Sequence, residues 1–339
     1  MLAGWKEKLL SKTGKEVLIK AVAQAIPTYT MSCFKLLDSL CDDLMGMIRN
    51  FWWGQKKEER KIAWLSWGKM CEPKCDGGMR FKNLKLFNKA LLAKQNWNLQ
   101  MGSNSLVYRV LKAKYFPTCD FIHASIGNNP SYTWRSLISA QSLVNEGLRW
   151  RVGNGANIKV WQDKWLPRGL TYRVTSPRLF MSLDRKVADL IDSHTAKWKN
   201  DVLDCLFLPF EANLIKSIPL SVTLPEDKLV WAVTNNGMFS IGSVYKLAVS
   251  MFKSKCCGTT SNDTLLRRFW KKLWSLPIPH KVHHFCWRAC CDTLLTKVKL
   301  MRRNVTAKSL CVCCLENAEM NGHIFWGCPT TQEVWSASS

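Results

Sequence analysis

The feature that most restricts what this chain can fold into lies near its end, in "LCVCCLENAEMNGHIFWGC", residues 310–328. Four cysteines and one histidine fall within these nineteen residues. Zinc takes four sulfur or nitrogen ligands in a tetrahedron, and two cysteines separated by two residues can turn both thiolates onto one ion at about 2.3 Å. Cys311 and Cys314 have that spacing; His323 follows after eight residues and Cys328 after four more, giving C-x2-C-x8-H-x4-C. Asn317, Asn321 and Gly322 make the connection between the two pairs polar and pliable, and Cys313 is a spare thiol expected to point elsewhere. The spacing predicts a structural Zn2+ that folds this small region, because all four positions are protein side chains and none stays open for an activated water. The competing reading is that a chain with 15 cysteines clusters some of them by chance, as small buried apolar groups.

A chain of 339 residues with 47% hydrophobic residues and 17 tryptophans has the apolar material for two or three compact domains. Its formal charge of +24 and pI near 9.6 point to a polyanionic partner, nucleic acid before an anionic membrane surface. The opening "MLAGWKEKLLSKTGKE" is charged every few positions and lacks the apolar stretch of a secretory signal. No run reaches the roughly 18 apolar residues of a membrane span. These features predict a nuclear or cytoplasmic protein, not secreted and without a membrane partner, whose thiols are reduced and available to metal.

Periodicity predicts an α+β fold in three regions. Residues 1–117 read as mainly helical: Thr13 and Glu16 have the spacing of a capping box, with Val17, Leu18, Ala21, Val22 and Ala25 as an apolar stripe up to Pro27. A second helix, "NLKLFNKALLAKQNWNLQM", starts near Asn83 and places Phe87, Ala90, Leu91 and Trp97 on one side. Residues 118–255 read as a mixed region with β-hairpins, one around Gly153-Asn154-Gly155 and one around Asn236-Gly237, followed by a helix over "GSVYKLAVSMF". A linker is expected at 253–263, and residues 264–339 read as helical and then metal-binding. Cations exceed anions by 12 over 1–117, by 6 over 118–255 and by 6 over 256–339.

Other constellations carry less chemistry. In "PHKVHHFCWRACC", His280 and His284 share a helix face, as do Cys286 and Cys290, but Val282, Phe285, Cys286 and Ala289 form an ordinary apolar stripe. Core or surface packing is the expectation there. Nucleotide polymerisation needs paired carboxylates on two Mg2+ ions. The only adjacent aspartates, Asp42 and Asp43, lie among Leu40, Leu44, Met47 and Ile48 at helical spacing, which predicts a solvated helix face. "SKTGKE" lacks the first glycine and the final Ser/Thr of a phosphate loop, and nothing orients a base for a His284–Cys286 nucleophile. No catalytic residue is assigned.

The runs "GWKEKLLSKTGKEVLIKAVAQAIPTYTMSCFKL", "FWWG", "GGMRFKNLKLFNKALLAKQNW", "WRVGNGANIKVWQDKWLP", "GMFSIGSVYKL" and "WKKLWSLPIPHKVHHFCWRACCDTLLTKVKLMRR" span nearly the whole sequence. Together they resemble the C-terminal part of plant LINE-type (non-LTR) retrotransposon reverse transcriptases, including relatives named ribonuclease H proteins. "CVCCLENAEMNGHIFWGCPTTQEVW" is similar to that family's zinc-binding region. The resemblance implies ligands at Cys311, Cys314, His323 and Cys328, with Glu319 before the histidine and Trp335 closing the segment. The family's usual order is endonuclease, polymerase, connecting region, zinc-binding region and often RNase H. This implies a helical thumb-like or connecting region at 1–117 and a reverse-transcriptase zinc-binding domain at 264–339, without the polymerase or RNase H active sites.

The implied function is a non-catalytic fragment that binds zinc and nucleic acid, RNA or DNA, with weak sequence preference, alongside a reverse transcriptase supplied separately. The alternative is a zinc-stabilised protein-interaction scaffold derived from a retroelement. Candidate phosphate contacts are Lys82, Lys85, Lys89 and Lys94 along the second helix, and Arg267, Arg268, Lys271 and Lys272 before the metal region.

Overall fold

The computed structural model describes residues 10–54, 62–102, 104–167, 171–177, 184–256 and 264–338. Helices dominate, and the strands are few, short and antiparallel, an α+β composition as expected. In chain order come α1 (Lys12–Leu18), which runs into a π-turn at Ile19–Ala23, then α2 (Thr28–Cys33), α3 (Asp38–Trp53), α4 (Trp67–Cys71), α5 (Leu84–Gln100) and α6 (Leu106–Tyr115). There follow α7 (Tyr132–Ile138), α8 (Gln141–Gly147), β1 (Leu148–Arg151), β2 (Ile191–Asp192), β3 (Lys197–Trp198), α9 (Asn200–Leu206), α10 (Pro209–Lys216), β4 (Lys228–Trp231) and α11 (Ile241–Cys256). The last helices are α12 (Thr264–Ser275), α13 (His280–Cys290), α14 (Lys297–Arg302) and α15 (Pro329–Ala337).

The chain divides into two compact units, Met1–Pro27 with Asp38–Leu84 and Thr260–Ser339, and Thr28–Leu37 with Lys85–Thr259. Of the consecutive regions 1–117, 118–255 and 264–339, the second lies within the second unit, the third within the first unit, and only the first crosses the division. The first of them contributes to both units, because α1, packed on α3, and the turn at Lys74–Asp76 pack with α13 and α12, respectively, from the far end of the chain.

In the first unit, α1 starts at Ser11, whose Oγ accepts the Gly14 N–H at 3.2 Å. The capping box expected of Thr13 and Glu16 does not form, and the helix is rotated away from the predicted stripe. Val17, Ala21 and Ala25 face solvent, while Lys15, Glu16, Ile19 and Ala23 are buried. Polar anchors set this rotation. Lys15 Nζ donates to Phe51 O at 3.0 Å and Lys12 Nζ to Trp52 O at 2.7 Å. The two ammonium groups thereby satisfy carbonyls at the negative end of α3, Lys12 Nζ lying 5.1 Å from the centre of the Trp52 ring and Lys15 Nζ 5.1 Å from that of Phe51. On α13 the predicted apolar face is likewise displaced: Val282 and Phe285 are exposed, and His283, His284 and Trp287 turn inward. Trp287 Nε1 donates to Gly77 O at 2.9 Å, a bond that fixes which side of the helix is buried. The turn around Gly77 requires glycine. Gly77 has φ +79°, and a Cβ on Gly78 would lie 2.1 Å from Glu72 O.

The second unit is built on α5, with Phe87, Ala90 and Leu91 buried as the sequence predicts. Buried Asn88 holds the 28–37 segment, donating to Met31 O and Phe34 O at 2.7 and 2.8 Å and accepting from Leu36 N at 2.8 Å. One apolar cluster joins α5 to α8, β1, Trp231 and α11; another gathers Ile158, Trp165, Val187, Leu203 and Ile215. Neither expected hairpin forms. β1 pairs instead with β4, Leu148 opposite Trp231 and Arg151 opposite Lys228. The Gly153-Asn154-Gly155 loop wraps the Asp227 carboxylate, which accepts from the N–H groups of Gly153, Gly155 and Asn157 at 2.7, 2.9 and 3.0 Å. A Cβ on Gly153 would sit 1.9 Å from Pro225 O, so the glycine serves close approach to the segment before β4 rather than a hairpin turn. Residues 253–256 of the expected linker complete α11, and 257–263 lie outside the described residues. Among the described residues, no helix is long and apolar enough to cross a membrane.

Candidate metal centre

Ligand atoms of Cys311, Cys314, His323 and Cys328 converge, all within 4.8 Å of one another. Bonds of about 2.3 Å to a tetrahedral ion give ligand–ligand edges of about 3.8 Å, so the four close on zinc with small side-chain adjustments. Cys314 Sγ and His323 Nε2 are 3.3 Å apart. Three sulfurs and one imidazole are a donor set that zinc takes, and Cys313 is exposed, outside the cluster. No other group of three or more possible ligands gathers among the described residues, the α13 histidines and cysteines included.

Local backbone brings the ligands together. Cys311 N donates to Asn317 O at 2.8 Å and Leu315 N to Cys311 O at 3.1 Å, closing a turn in which Leu315 has φ +59°. A single antiparallel bridge, Leu310 with Ala318, forms the base of this loop. His323 opens a π-turn, His323–Gly327, whose last step returns the Cys328 N–H to His323 O at 2.8 Å. Cys328 then stands at the N-terminus of α15, with Pro329 in the first turn. Burial opposes ionisation of the Cys328 thiol, but the N–H groups of Thr331 and Thr330 overcome it and hold the pKa below the ordinary thiol value. The thiolate that a metal needs is therefore favoured.

Two residues tie the module to the helices before it. Glu319 Oε1 accepts the Lys297 N–H at 3.0 Å, at the start of α14. Asn321 Nδ2 donates to Ala289 O at 3.0 Å and Asp292 Oδ1 at 2.9 Å, at the end of α13. Glu319 was legible in the sequence only through the family resemblance; Asn321 looked like a loop former.

The predicted phosphate contacts are divided between the two units. Lys82, Arg267, Arg268, Lys271 and Lys272 belong to the first unit, whereas Lys85, Lys89 and Lys94 belong to the second. Lys89 and Lys94 are exposed but stand about 140° apart on α5, while Lys82 and Lys85 are half-buried. Burial, and then Arg80, lower the Lys82 pKa. Arg267 is bound to Asp76, Nε to Oδ1 at 2.6 Å; Arg268, Lys271 and Lys272 lie exposed on α12. Asp42 and Asp43 are exposed on α3, on the solvated face that their spacing predicts.

A polar cluster that sequence reasoning missed surrounds Glu16. Lys20 Nζ and Lys74 Nζ lie 2.5 and 3.2 Å from Glu16 Oε1, and His284 Nε2 lies 2.9 Å from Oε2. The histidine contact is close but off the line of a well-formed hydrogen bond. Burial alone would raise the Glu16 pKa; contacts with His284, Lys20 and Lys74 overcome it and hold it at about 2.

Residues 239–335 match the family of zinc-binding regions in reverse transcriptase. The chain is 28% identical over 346 residues to the Arabidopsis thaliana protein named "Putative ribonuclease H protein", covering 98% of this chain and 53% of that protein. It is 42% identical over 143 residues to an "Uncharacterized mitochondrial protein" of Arabidopsis thaliana, covering 42% of this chain and 93% of that protein. The chain thus spans about half the length of the first relative and nearly all of the second. With the Cys3His cluster inside the matched region, the chain carries the zinc-binding region of reverse transcriptase and is a retrotransposon reverse-transcriptase-related region.

Proposed function

We propose that these residues bind nucleic acid through their basic helical body and perform no chemistry themselves, with zinc acting only to hold the terminal module in shape. The observation that carries this reading is the segregation of charge. Residues 309–339 contain three glutamates and no lysine or arginine, whereas all 49 cations lie before them. A module whose three thiolates outweigh one Zn2+ and that carries no lysine or arginine repels phosphates, so the contacts fall to the body, with exposed Lys89, Lys94, Arg268, Lys271 and Lys272 the best placed of the predicted set. The partner is RNA or DNA read with weak sequence preference, in the nucleus or cytoplasm, with synthesis performed by a reverse transcriptase polymerase outside these residues. Titrating structured RNA and nicked DNA across a salt series tests this: affinity falls steeply as salt rises. Binding that stays constant across the series, or DNA synthesis by the isolated chain, overturns it.

One observation favours a second reading, a protein-interaction scaffold. Trp326 and Trp335 stack at 5.6 Å with an interplanar angle of 16°, and are 68% and 48% exposed on the cation-free module. Paired exposed tryptophans are characteristic anchors of protein interfaces. A Trp326→Ala change that leaves nucleic-acid affinity intact while abolishing a protein contact supports that role.

A further inference from the structure

We propose that Lys20, Lys74 and Arg80 of the first unit form an anion site that takes a backbone phosphate of the bound nucleic acid. The inference deepens the functional reading above and rests on it. Lys20 and Lys74 approach the same oxygen of Glu16, so their ammonium groups are held close together by one carboxylate. The other oxygen of that carboxylate already faces buried His284. Burial first, and then the positive charges of Lys74 and Arg80, disfavour the charged form of Lys20, and burial and then Arg80 disfavour that of Lys82. The neighbouring acids are engaged elsewhere, Glu72 with Lys69 at 2.6 Å and Asp76 with Arg267 at 2.6 Å. One carboxylate therefore serves more positive charge than it neutralises.

The cations are also placed to be reached. The Lys20 and Lys74 side chains are each 31% exposed, and Arg80 is exposed, on a backbone with φ 58° that turns it out of the Gly77–Gly78 loop. Lys74 Nζ lies 3.8 Å from the centre of the Trp274 ring, whose indole N–H has no hydrogen-bond acceptor. A phosphate supplies several charged acceptor oxygens at once, and ammonium and guanidinium groups bind them in charge-assisted hydrogen bonds. It relieves a like-charge crowding that the protein leaves uncompensated.

The test uses the full chain and a single-stranded RNA oligonucleotide. Lysine acylation followed by peptide mass analysis should show Lys20 and Lys74 protected when RNA is bound. The Lys74→Gln, Arg80→Gln double variant should reduce the slope of log affinity against log salt by about 1.4, roughly 0.7 for each lost single-strand phosphate contact. Lys228→Gln, in the second unit, is the control. Arg80→Gln alone, which leaves the Glu16 cluster intact, should reduce the slope by about half that amount and keeps the test valid where the double variant folds poorly. If the wild type does not bind RNA, the functional reading fails and this inference with it. If it binds with an unchanged slope in both variants and without protection of Lys20 and Lys74, the inference alone fails. Equal protection by inorganic phosphate, with no loss of RNA affinity in the variants, would assign the site to free anions and overturn the nucleic-acid assignment.

Discussion

Glu16→Gln is the sharpest perturbation of the first unit. The carboxylate is 12% exposed and faces Lys20 at 2.5 Å, Lys74 at 3.2 Å and His284 at 2.9 Å. Charges about 5 Å apart at an effective dielectric near 20 interact by about 3 kcal/mol. Removing the carboxylate thus changes two attractions into one uncompensated repulsion between the lysines. Loss of one partner from a fully buried pair costs about 3–5 kcal/mol. The lysine heads here reach solvent, so a loss of about 2–4 kcal/mol is expected at neutral pH. The effect has a defined pH signature. Folded Glu16 titrates at about 2 against 4.5 for the free group, so its stabilisation is complete above about pH 4.5 and disappears as pH falls through 2. Urea unfolding followed by circular dichroism should give a stability gap between wild type and variant that is constant from neutral pH down to about 5 and closes below it. Equal stability at pH 7, or a gap that persists undiminished near pH 2, would refute the reasoning.

Three further outcomes follow from the same geometry. Chelating zinc should expose 305–335 to protease while leaving the second unit protected, and Cys311→Ser should do the same without chelator; an unchanged protease pattern counts against a structural metal. Asp227→Ala strands three loop N–H groups and should destabilise the second unit by about 2–4 kcal/mol in chemical denaturation, whereas loss below about 0.5 kcal/mol would show that water replaces the carboxylate. Gly153→Ala forces a Cβ to within 1.9 Å of Pro225 O and should lower the thermal midpoint of the second unit, whereas Gly46→Ala, in open space inside α3, should hold or raise that of the first.

Much of the metal centre was legible because its signal is short-range. Four ligands lie within eighteen residues, and spacing alone nearly determines which thiolates reach one ion. Helices α5 and α11 were equally readable, since each carries its apolar pattern along its own length. The failures share a cause. On α1 and α13 the sequence offered plausible apolar stripes, but the buried faces were chosen by Lys12, Lys15, Glu16, His284 and Trp287, whose partners lie tens to hundreds of residues away. At residues 150–161 and 229–241 alternation predicted local hairpins, yet the strands paired with each other across the chain and Asp227 filled the glycine loop.

By itself, then, the sequence determined the zinc ligands, the longer helices and the large cationic excess, all properties carried by neighbouring residues or by composition. Only the tertiary structure decided which helix faces are buried, which strands pair and which cations are spent on internal partners. The physical reason is that a buried charge or donor must find its counterpart wherever the chain brings one, and that requirement overrides a modest apolar periodicity.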